Sequence, residues 1–290
     1  MNVTVIGASG FVGRHLCTAL RARGDRVSVG SLRDPAAAAR ACEGVDAVVN
    51  LAGEPVAQRW TPAVKARIRA SRVDAGAAFI DALGALARPP SGYVSASAVG
   101  YYGSSETATF DESSGPGEDF LAGVCVAWEA TADRASALGM RVAKIRTGLA
   151  LGTDGGALAA LLPLFKLGAG GIVASGRQWY SWIAIDDLVG IYLHAIDGTS
   201  GVLNGAAPNA VRNAEFTRAL GAALHRPALL PAPAFGVRLL LGEAALIATE
   251  GQRVVPARTL ATGYAFRYET IDATFAALLG ARTGKQKPTP

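Results

Sequence analysis

Three glycines lie at regular spacing in the stretch VTVIGASGFVGRHL. They follow a short apolar segment typical of a strand and precede a segment typical of a helix. Glycines at such a junction permit a tight turn and a close approach of the backbone to a pyrophosphate, which the free amides and the positive helix end bind. The alternative is a glycine-rich turn without a ligand. The residues of this stretch that we predict to contact a dinucleotide are Gly7, Ser9, Gly10, Phe11, Val12, Gly13 and Arg14.

The end of the second predicted strand indicates which nicotinamide cofactor is bound. A cofactor without a 2′-phosphate is normally held there by a carboxylate on the ribose hydroxyls. This sequence has Ser31 at that place and Arg33 two residues later, whose planar fork of donors suits a phosphate. Asp34 is the competing acid, but it precedes Pro35 and is expected to cap a helix. The pattern predicts NADP(H), with Arg33 and secondarily Arg14 at the 2′-phosphate; the alternative is that Arg33 is a solvated surface group.

Short apolar segments alternate with helical segments in the first half of the chain and predict an α/β fold with a doubly wound parallel sheet. The predicted strands are Val3 to Ile6, Val27 to Ser31, Ala47 to Leu51, Tyr93 to Ser97 and Val142 to Arg146. After about residue 150, prolines and paired glycines break this pattern. We therefore expect a dinucleotide-binding core over 1–165, mixed segments over 166–280 that return to the core and form a smaller substrate-side lobe, and a tail over 281–290.

Composition argues against several classes of function. The chain has 290 residues, of which 50% are hydrophobic, and can bury a large core. Its cysteines, Cys17, Cys42 and Cys125, are widely spaced, so no metal site is indicated and a reduced compartment is expected. We find no secretory signal and no apolar run near the ~20 residues that span a bilayer, so we expect a cytoplasmic protein without a membrane partner. The net charge of +5 comes from scattered arginines, which does not favour nucleic-acid binding.

Longer segments resemble the atypical short-chain dehydrogenase/reductase superfamily, in the group labelled epimerase family protein. The segments are NLAGEP, RWT, SRV, SASAVGYYG, DFLAGVCVAWE, RTGLALG, SGRQWYSWIAIDDL, LNGAAPN and TEGQRVVPARTLATGY. The resemblance runs from residue 1 to about 280. It implies a Rossmann fold of the extended short-chain dehydrogenase type, NADP(H) binding and a C-terminal lobe of unassigned function, and it leaves the substrate open. The further cofactor-lining residues that it implies are Leu51, Ala52, Gly53, Ser95, Thr147 and Gly148.

The segment DFLAGVCVAWE predicts a helix, capped by Asp119, that lacks the usual acid-base pair. The resemblance implies a Tyr, a Lys four residues later and a Glu four residues further on, the Lys lowering the pKa of the Tyr. Counting back from Glu129, the Lys position holds Cys125 and the Tyr position holds Leu121. We expect both to be packing positions. A nucleophilic Cys125 is the alternative, which lacks a neighbouring base in the sequence.

The loop SASAVGYYG after the fourth strand is the nearest remaining source of hydroxyls. The resemblance implies a Ser or Thr five residues before the glycine of a Tyr-Gly pair. That count lands on Ala98, and Ser97 matches only if the loop holds one extra residue. The catalytic candidates are therefore Ser97, Tyr101 and Tyr102, with Tyr102 favoured because it precedes Gly103. The alternatives are that Ser97 satisfies backbone groups and that the tyrosines wall a pocket.

The segment SGRQWYSWIAIDDL mixes polar and aromatic side chains, as walls of small-molecule pockets do. We predict that Gln178, Trp179 and Trp182 contact the substrate. The alternative is that Trp182 belongs to the core and that Asp186 and Asp187 only begin a helix.

Taken together, these patterns predict an NADP(H)-dependent oxidoreductase that acts by hydride transfer on a small polar substrate. The alternatives are a non-enzymatic NADP(H)-binding or redox-sensing protein and, ranked lowest, a sugar-nucleotide epimerase.

Lys65, Arg69 and Arg72 lie at helical spacing and are interpreted as a solvated face.

Overall fold

A parallel sheet of six strands forms the centre of the structure, a computed structural model that describes residues 1–228 and 230–280. The predicted tail over 281–290 lies outside the described residues. In chain order the strands are β1 (Asn2–Ile6), β2 (Arg26–Gly30), β3 (Ala47–Asn50), β4 (Gly92–Ala98), β5 (Thr109–Phe110), β6 (Arg141–Thr147), β7 (Leu149–Leu151), β8 (Trp179–Tyr180), β9 (Trp182–Ala184), β10 (Gly201–Gly205), β11 (Val211–Arg212) and β12 (Arg253–Val254).

Helices cover both faces of this sheet and build the C-terminal lobe. They are α1 (Phe11–Ala22), α2 (Pro35–Arg40), α3 (Pro62–Ala70), α4 (Asp74–Gly84), α5 (Phe120–Asp133), α6 (Gly156–Lys166), α7 (Ile185–Ile196), α8 (Asn213–Ala223), α9 (Ala234–Leu241), α10 (Leu246–Thr249), α11 (Ala257–Ala261) and α12 (Ile271–Gly280). The caps predicted at Asp34 and Asp119 are present, since each carboxylate accepts a hydrogen bond from the backbone N–H three residues later.

The sheet has the order β10–β6–β4–β3–β1–β2 and all its strands run parallel. The five predicted strands are β1, β2, β3, β4 and β6, each placed to within one residue at either end. The doubly wound fold is therefore confirmed. The sixth strand, β10, was not predicted because it begins and ends with glycine and contains Asn204, a composition that favours turns over strands.

Two hydrophobic clusters hold the sheet between its helices. On one face, Leu16 and Leu20 of α1 pack with Ile191 of α7. On the other, Phe79 and Leu83 of α4 pack with residues of α2 and α5. Fully burying an aliphatic side chain of this size stabilises a fold by about 1.5–3 kcal/mol. Because both faces are covered, the side of the sheet formed by the carboxyl ends of its strands remains open. We call this side the open edge, and it is where ligands collect in such sheets.

The chain after α6 both returns to the sheet and forms a smaller lobe. The helix α7 and the strand β10 join the central layers, while α6, α8 and α12 surround a separate cluster that contains Trp182, Phe216 and Phe275. The buried carboxylate of Asp187, on α7, accepts hydrogen bonds from the backbone N–H groups of Arg267 and Tyr268 and so fastens the last segment to the core. The boundary expected at residue 165 stays a prediction.

A buried ion pair connects α5 to β6 beneath the open edge. Nε and Nη2 of Arg146 donate to the two carboxylate oxygens of Glu129 at 2.8 and 2.9 Å, and the side chains are only 4% and 7% exposed. Desolvation opposes the charged form of Arg146, but the hydrogen bonds and charge of Glu129 outweigh it and raise the pKa of the guanidinium. Arg146 therefore keeps its charge inside the protein.

We predict that Arg146→Met lowers the free energy of unfolding by about 3–5 kcal/mol, because it leaves the carboxylate of Glu129 buried without its cation. Urea unfolding followed by circular dichroism measures this change. The control is Arg134→Met, which breaks an exposed pair with Asp81 and should cost about 0–1 kcal/mol. Equal losses in the two variants would contradict the structural role of the buried pair.

Candidate functional site

The turn after β1 has the geometry of a phosphate-binding loop. Gly7 has φ +82°, and a Cβ there would lie 3.0 Å from the carbonyl carbon of Leu51. A Cβ on Gly13 would lie 2.3 Å from the backbone oxygen of Gly7, which leaves no room for a side chain. Gly10 precedes α1 and provides no side-chain cap for its first amides. The loop thus fits a pyrophosphate, whose oxygens would accept hydrogen bonds from those amides.

Residues beyond the glycines complete this loop. Ser9 is exposed, and its backbone oxygen accepts a hydrogen bond from Nη1 of Arg14 at 3.1 Å. Phe11 and Val12 form the half-buried first turn of α1. Phe11 packs against the glycines of residues 152–156, and Asp154 of the same segment pairs with Arg14 and His15. This segment therefore covers the entry to α1 and keeps the Arg14 guanidinium beside the loop.

The turn after β2 exposes a cation and engages its neighbouring acid. Ser31 and Arg33 are both exposed, and the hydroxyl of Ser31 accepts a hydrogen bond from the backbone N–H of Arg33. The carboxylate of Asp34 accepts a hydrogen bond from Ala37 as the cap of α2. The acid that would compete for a ribose hydroxyl is thus occupied, and the Arg33 side chain remains available to a phosphate.

The turns after β3 and β6 lie at the same edge of the sheet. Leu51 and Ala52 approach Gly7 through their backbone atoms, while Gly53 is exposed. Thr147 and Gly148 line the cavity described below. A sixth residue expected at the cofactor differs. Ser95 is 1% exposed and its hydroxyl donates to the backbone oxygen of Ala96, so it lies inside the sheet and does not reach the edge.

A cavity of about 300 Å³ opens between this edge and the C-terminal lobe. Its walls come from the ends of β4 and β6, from α5 and from residues 246–252. Most of the lining is apolar, and its apolar side chains include Val56, Ile68, Leu121, Val124, Leu246 and Ile247. The cavity is therefore suited to a ligand with an apolar body.

Leu121 and Cys125 line this cavity at the positions where the resemblance implies Tyr and Lys. The packing role expected for both agrees with their surroundings, since Cys125 is 4% exposed. Burial and the charge of Glu129 raise the pKa of the Cys125 thiol to about 12. A protonated thiol is a poor nucleophile, so the alternative of covalent chemistry at Cys125 loses its basis.

The expected catalytic hydroxyls lie beneath the cavity and not on its wall. Ser97 donates to Oε1 of Glu129 at 2.7 Å, and the hydroxyl of Tyr102 donates to Asn204 at 2.7 Å while accepting from Arg146. Burial raises the pKa of Tyr102 to about 12 although Arg146 acts in the opposite direction. Tyr101 is half-buried, with its ring 3.3 Å from the Arg146 guanidinium. These contacts correct the expectation that Ser97 and Tyr102 meet the substrate, because both hydroxyls already serve the buried ion pair.

Only one of the three expected substrate residues lies at the cavity. Trp179 lines it and is fixed by a hydrogen bond from its Nε1 to the backbone oxygen of Glu106. Trp182 is fully buried in the lobe's own core, as the alternative for this residue held. Gln178 is 3% exposed and donates through its amide to Val173 and Ala248. Trp182 and Gln178 are thus corrected to structural positions.

Two family models match the chain. Residues 3–206 match the NAD dependent epimerase/dehydratase family. The chain belongs to this family. It is thus an NAD(P)-binding protein of the epimerase type. Residues 232–278, in the C-terminal lobe, match a domain of unknown function, DUF1731.

Relatives match over nearly the whole chain. The epimerase family protein SDR39U1 of Homo sapiens is 39% identical over 94% of this chain and 98% of its own, and the chloroplastic SDR39U1 homolog of Arabidopsis thaliana is 42% identical over 96% and 87%. A crystal structure of the human protein with NADPH superposes with a TM-score of 0.91 at 36% identity, covering 97% of this chain and 99% of that one. A nucleoside-diphosphate sugar epimerase from Corynebacterium glutamicum gives 0.79 at 35% identity, covering 97% of this chain and 58% of that one.

Sequence reasoning missed two residues of this epimerase-family site. The helical spacing of Lys65, Arg69 and Arg72 predicts a solvated face, yet Arg72 lines the cavity together with Trp128. Trp128 follows Leu121 and Cys125 at i, i+4 and i+7, a spacing that places all three on one helix face and could have revealed it. Arg72 gives no comparable pattern, because it lies in the turn between α3 and α4, where helical spacing from Arg69 no longer places two residues on one face.

Further features of the described residues limit the chemistry of the site. No group of three or more His, Cys, Asp or Glu side chains within residues 1–228 and 230–280 is arranged to hold a metal ion. In the same part of the chain, no helix is long and apolar enough to cross a bilayer.

We predict that Gly13→Ala weakens NADPH binding by at least about ten-fold and lowers stability by about 1–3 kcal/mol, because the added methyl group collides with Gly7. Fluorescence quenching by NADPH and thermal melting measure the two effects. The control is Gly123→Ala, also within a helix but with open space at its Cβ, which should leave both unchanged or slightly raise stability. Unaltered NADPH binding in Gly13→Ala would rule out this loop as the phosphate site.

We also predict that native protein resists alkylation by iodoacetamide at about pH 8. With a pKa of about 12, only roughly one Cys125 thiol in ten thousand is ionised there, and all three cysteines are buried. Mass spectrometry of peptides from native protein should show unmodified Cys125, whereas protein in guanidinium chloride should react fully. Rapid labelling of Cys125 in the native state would restore the nucleophile hypothesis.

Proposed function

We propose that this protein is an NADP(H)-dependent oxidoreductase that reduces or oxidises a small molecule with an apolar body. The observation that carries the cofactor choice is the turn after β2, where Arg33 is exposed and Asp34 is engaged as a helix cap. The NADPH in the crystal structure of the human relative supports the same choice. When bound, NADP(H) supplies or accepts the hydride in reactions of this class.

The residues expected to hold the cofactor contact different parts of it. The loop of Gly7, Gly10 and Gly13 binds the pyrophosphate through backbone amides, and Arg33, with Arg14 nearby, meets the 2′-phosphate. Thr147 and Gly148 line both the sheet edge and the cavity, which favours a substrate placed directly beside the redox-active ring.

The apolar cavity changes the substrate expected from the sequence. A small polar molecule would leave Leu121, Val124 and Ile68 facing unfilled space, whereas an apolar body would be removed from water by them. Ser104, which also lines the cavity, offers a hydroxyl for orientation. The substrate is therefore proposed to be mainly apolar with few polar atoms.

The proton in this scheme comes neither from Tyr102 nor from the helix position at which the superfamily has its tyrosine. The Tyr102 hydroxyl is held by Arg146 and Asn204 at a raised pKa, and Leu121 has no acidic group. We propose that solvent or the substrate itself supplies the proton, and that the side chains bind, orient and exclude bulk water. Turnover should then be slow compared with enzymes that have a Tyr-Lys pair.

Two rival functions make different predictions. A non-enzymatic NADP(H)-binding or redox-sensing protein is favoured by the missing acid-base pair, and it would bind NADPH without oxidising it in any substrate screen. A sugar-nucleotide epimerase would have to fit a sugar and nucleotide against mainly apolar walls, which the cavity disfavours.

A cytoplasmic location also stays a prediction, since the Arabidopsis relative is described as chloroplastic.

We predict that wild-type protein binds NADPH about ten-fold to more than a hundred-fold more tightly than NADH, the value of a charge-assisted phosphate contact. Arg33→Ala should remove most of that difference by weakening NADPH alone. The matched control is Arg40→Ala, which removes an exposed arginine at the other end of α2 and should leave both affinities unchanged. Quenching of protein fluorescence measures all six affinities, and equal wild-type affinities for the two cofactors would disprove the assignment.

The reaction itself is tested separately. NADPH absorbance is followed in the presence of aldehydes and ketones with apolar chains or rings, and any hit is repeated with Gly13→Ala. Turnover that depends on the intact phosphate loop supports the oxidoreductase. NADPH that binds tightly but is never consumed by any member of such a panel favours the sensor.

A further inference from the structure

The site of this protein lacks the lysine cation of its superfamily, yet one positive charge lies at the cavity. Arg72 follows α3 and lines the cavity with Cys125, the residue at the lysine position. Burial lowers the pKa of Arg72, while the electrostatic influence of Cys125 and Glu54 acts in the opposite direction. An arginine keeps its charge in such surroundings. The cation therefore comes from a different element of the fold.

One nitrogen of the Arg72 guanidinium, Nη1, makes hydrogen bonds within the protein, and the other two do not among the described residues. Its Nη1 donates to the backbone oxygens of Glu54 and Ile68 at 3.0 and 3.1 Å, which fixes the orientation of the group. Within residues 1–228 and 230–280, no hydrogen-bond partner contacts its Nε or Nη2. A Cβ on Gly53 would lie 2.8 Å from Nη2 and 3.1 Å from Nε. Nε and Nη2 of Arg72 thus lie beside the turn after β3. Only a glycine at position 53 leaves room for them, because any side chain there would collide with the guanidinium.

Trp128 provides a second donor at the same corner of the cavity. The Arg72 guanidinium lies 5.0 Å from the centre of its ring, which is 6% exposed. Its Nε1 is buried and has no hydrogen-bond partner among the described residues. Buried donors are almost always paired in native proteins, and an unpaired one calls for an explanation such as an absent ligand. The indole N–H and the Nε and Nη2 groups of Arg72 are thus donors without an acceptor among the described residues, at one corner of the cavity.

We propose that Arg72 and Trp128 form an oxygen-binding corner that replaces the lysine of the superfamily. Its ligand is a negatively charged or carbonyl oxygen. Either the cofactor, through the phosphate or ribose oxygens common to NADPH and NADH, or the polar end of an otherwise apolar substrate can present it. The corner rests on the proposed function only in placing a nicotinamide cofactor at this edge of the sheet.

The remaining charges at the cavity restrict where such an oxygen binds. Asp119 and Glu250 also line it, and both repel an anion. Asp119 caps α5 beside Gly103 and lies nine residues before Trp128, a separation of about 13 Å along the helix axis at 1.5 Å per residue. The Arg72 corner is therefore the place at the cavity where a positive charge and unpaired donors coincide.

The test compares Arg72→Met and Trp128→Phe with Arg69→Met, which removes an exposed arginine three residues earlier. One arm titrates NADPH and NADH into each protein by fluorescence quenching. The other arm uses calorimetry with saturating NADPH and two probes of equal chain length, octanoate and octan-1-ol. Thermal melting checks that each variant is folded. Trp128→Phe keeps the ring under Arg72 and removes only the N–H, so it keeps the proposal testable if Arg72→Met does not fold.

We expect Arg72→Met to weaken an oxygen ligand by about ten-fold or more and Trp128→Phe by a smaller factor. If the cofactor provides the oxygen, NADPH and NADH weaken by the same factor, unlike in Arg33→Ala, where NADPH alone weakens. If the substrate provides it, octanoate weakens and octan-1-ol does not. The proposal is overturned if neither arm separates these variants from Arg69→Met, including the case in which octanoate does not bind. If the wild-type protein binds NADPH and NADH equally tightly, the proposed function is overturned, and the proposal for the Arg72 corner is unaffected.

Discussion

The structure depends on the buried pair of Arg146 and Glu129 beneath the open edge of the sheet. Taking two charges out of water costs several kcal/mol per ion, and a bidentate contact with further hydrogen bonds is needed to offset it. Ser97 donates to Glu129 and Tyr102 accepts from Arg146, so the polar atoms around the pair are satisfied. Asn204 then links Tyr102 to β10 and, through the backbone oxygen of Val255, to the C-terminal lobe.

This requirement explains why the expected chemistry is absent from the expected loop. A hydroxyl that stabilises a buried ion pair cannot also be free to exchange a proton with a ligand, and its pKa moves away from neutrality when water is excluded. The same loop composition can thus serve catalysis in one chain and architecture in another. Here the floor of the cavity is fixed by Glu129 and its partners, while the walls are left to apolar side chains and to Arg72. The function of this protein therefore has to be sought in the walls of the cavity.

The C-terminal lobe completes the cavity because polar contacts bind it to the core on several sides. The hydroxyl of Ser181 donates to the backbone oxygen of Gln252, and the amide of Gln252 donates to the backbone oxygen of Val99. Gly251 passes so close to Trp179 that a Cβ would lie 2.1 Å from its backbone oxygen. A segment held this tightly acts as a fixed wall, which supports a preformed pocket over one that assembles around its ligand.

The sequence by itself determined the local features: the strands of the first half, the helix caps at Asp34 and Asp119, and the glycine loop. These depend on residues within a few positions of each other, and their patterns of hydrophobicity and backbone freedom can be read along the chain. Only the tertiary structure decided which polar side chains face the cavity. Ser97 is turned away from the cavity by Glu129, which lies 32 residues further along the chain. Arg72 lies at the cavity beside Trp128, a residue of another helix. No rule of sequence spacing predicts such contacts. Burial and pairing are properties of the packed molecule, so the roles of polar residues emerged only there.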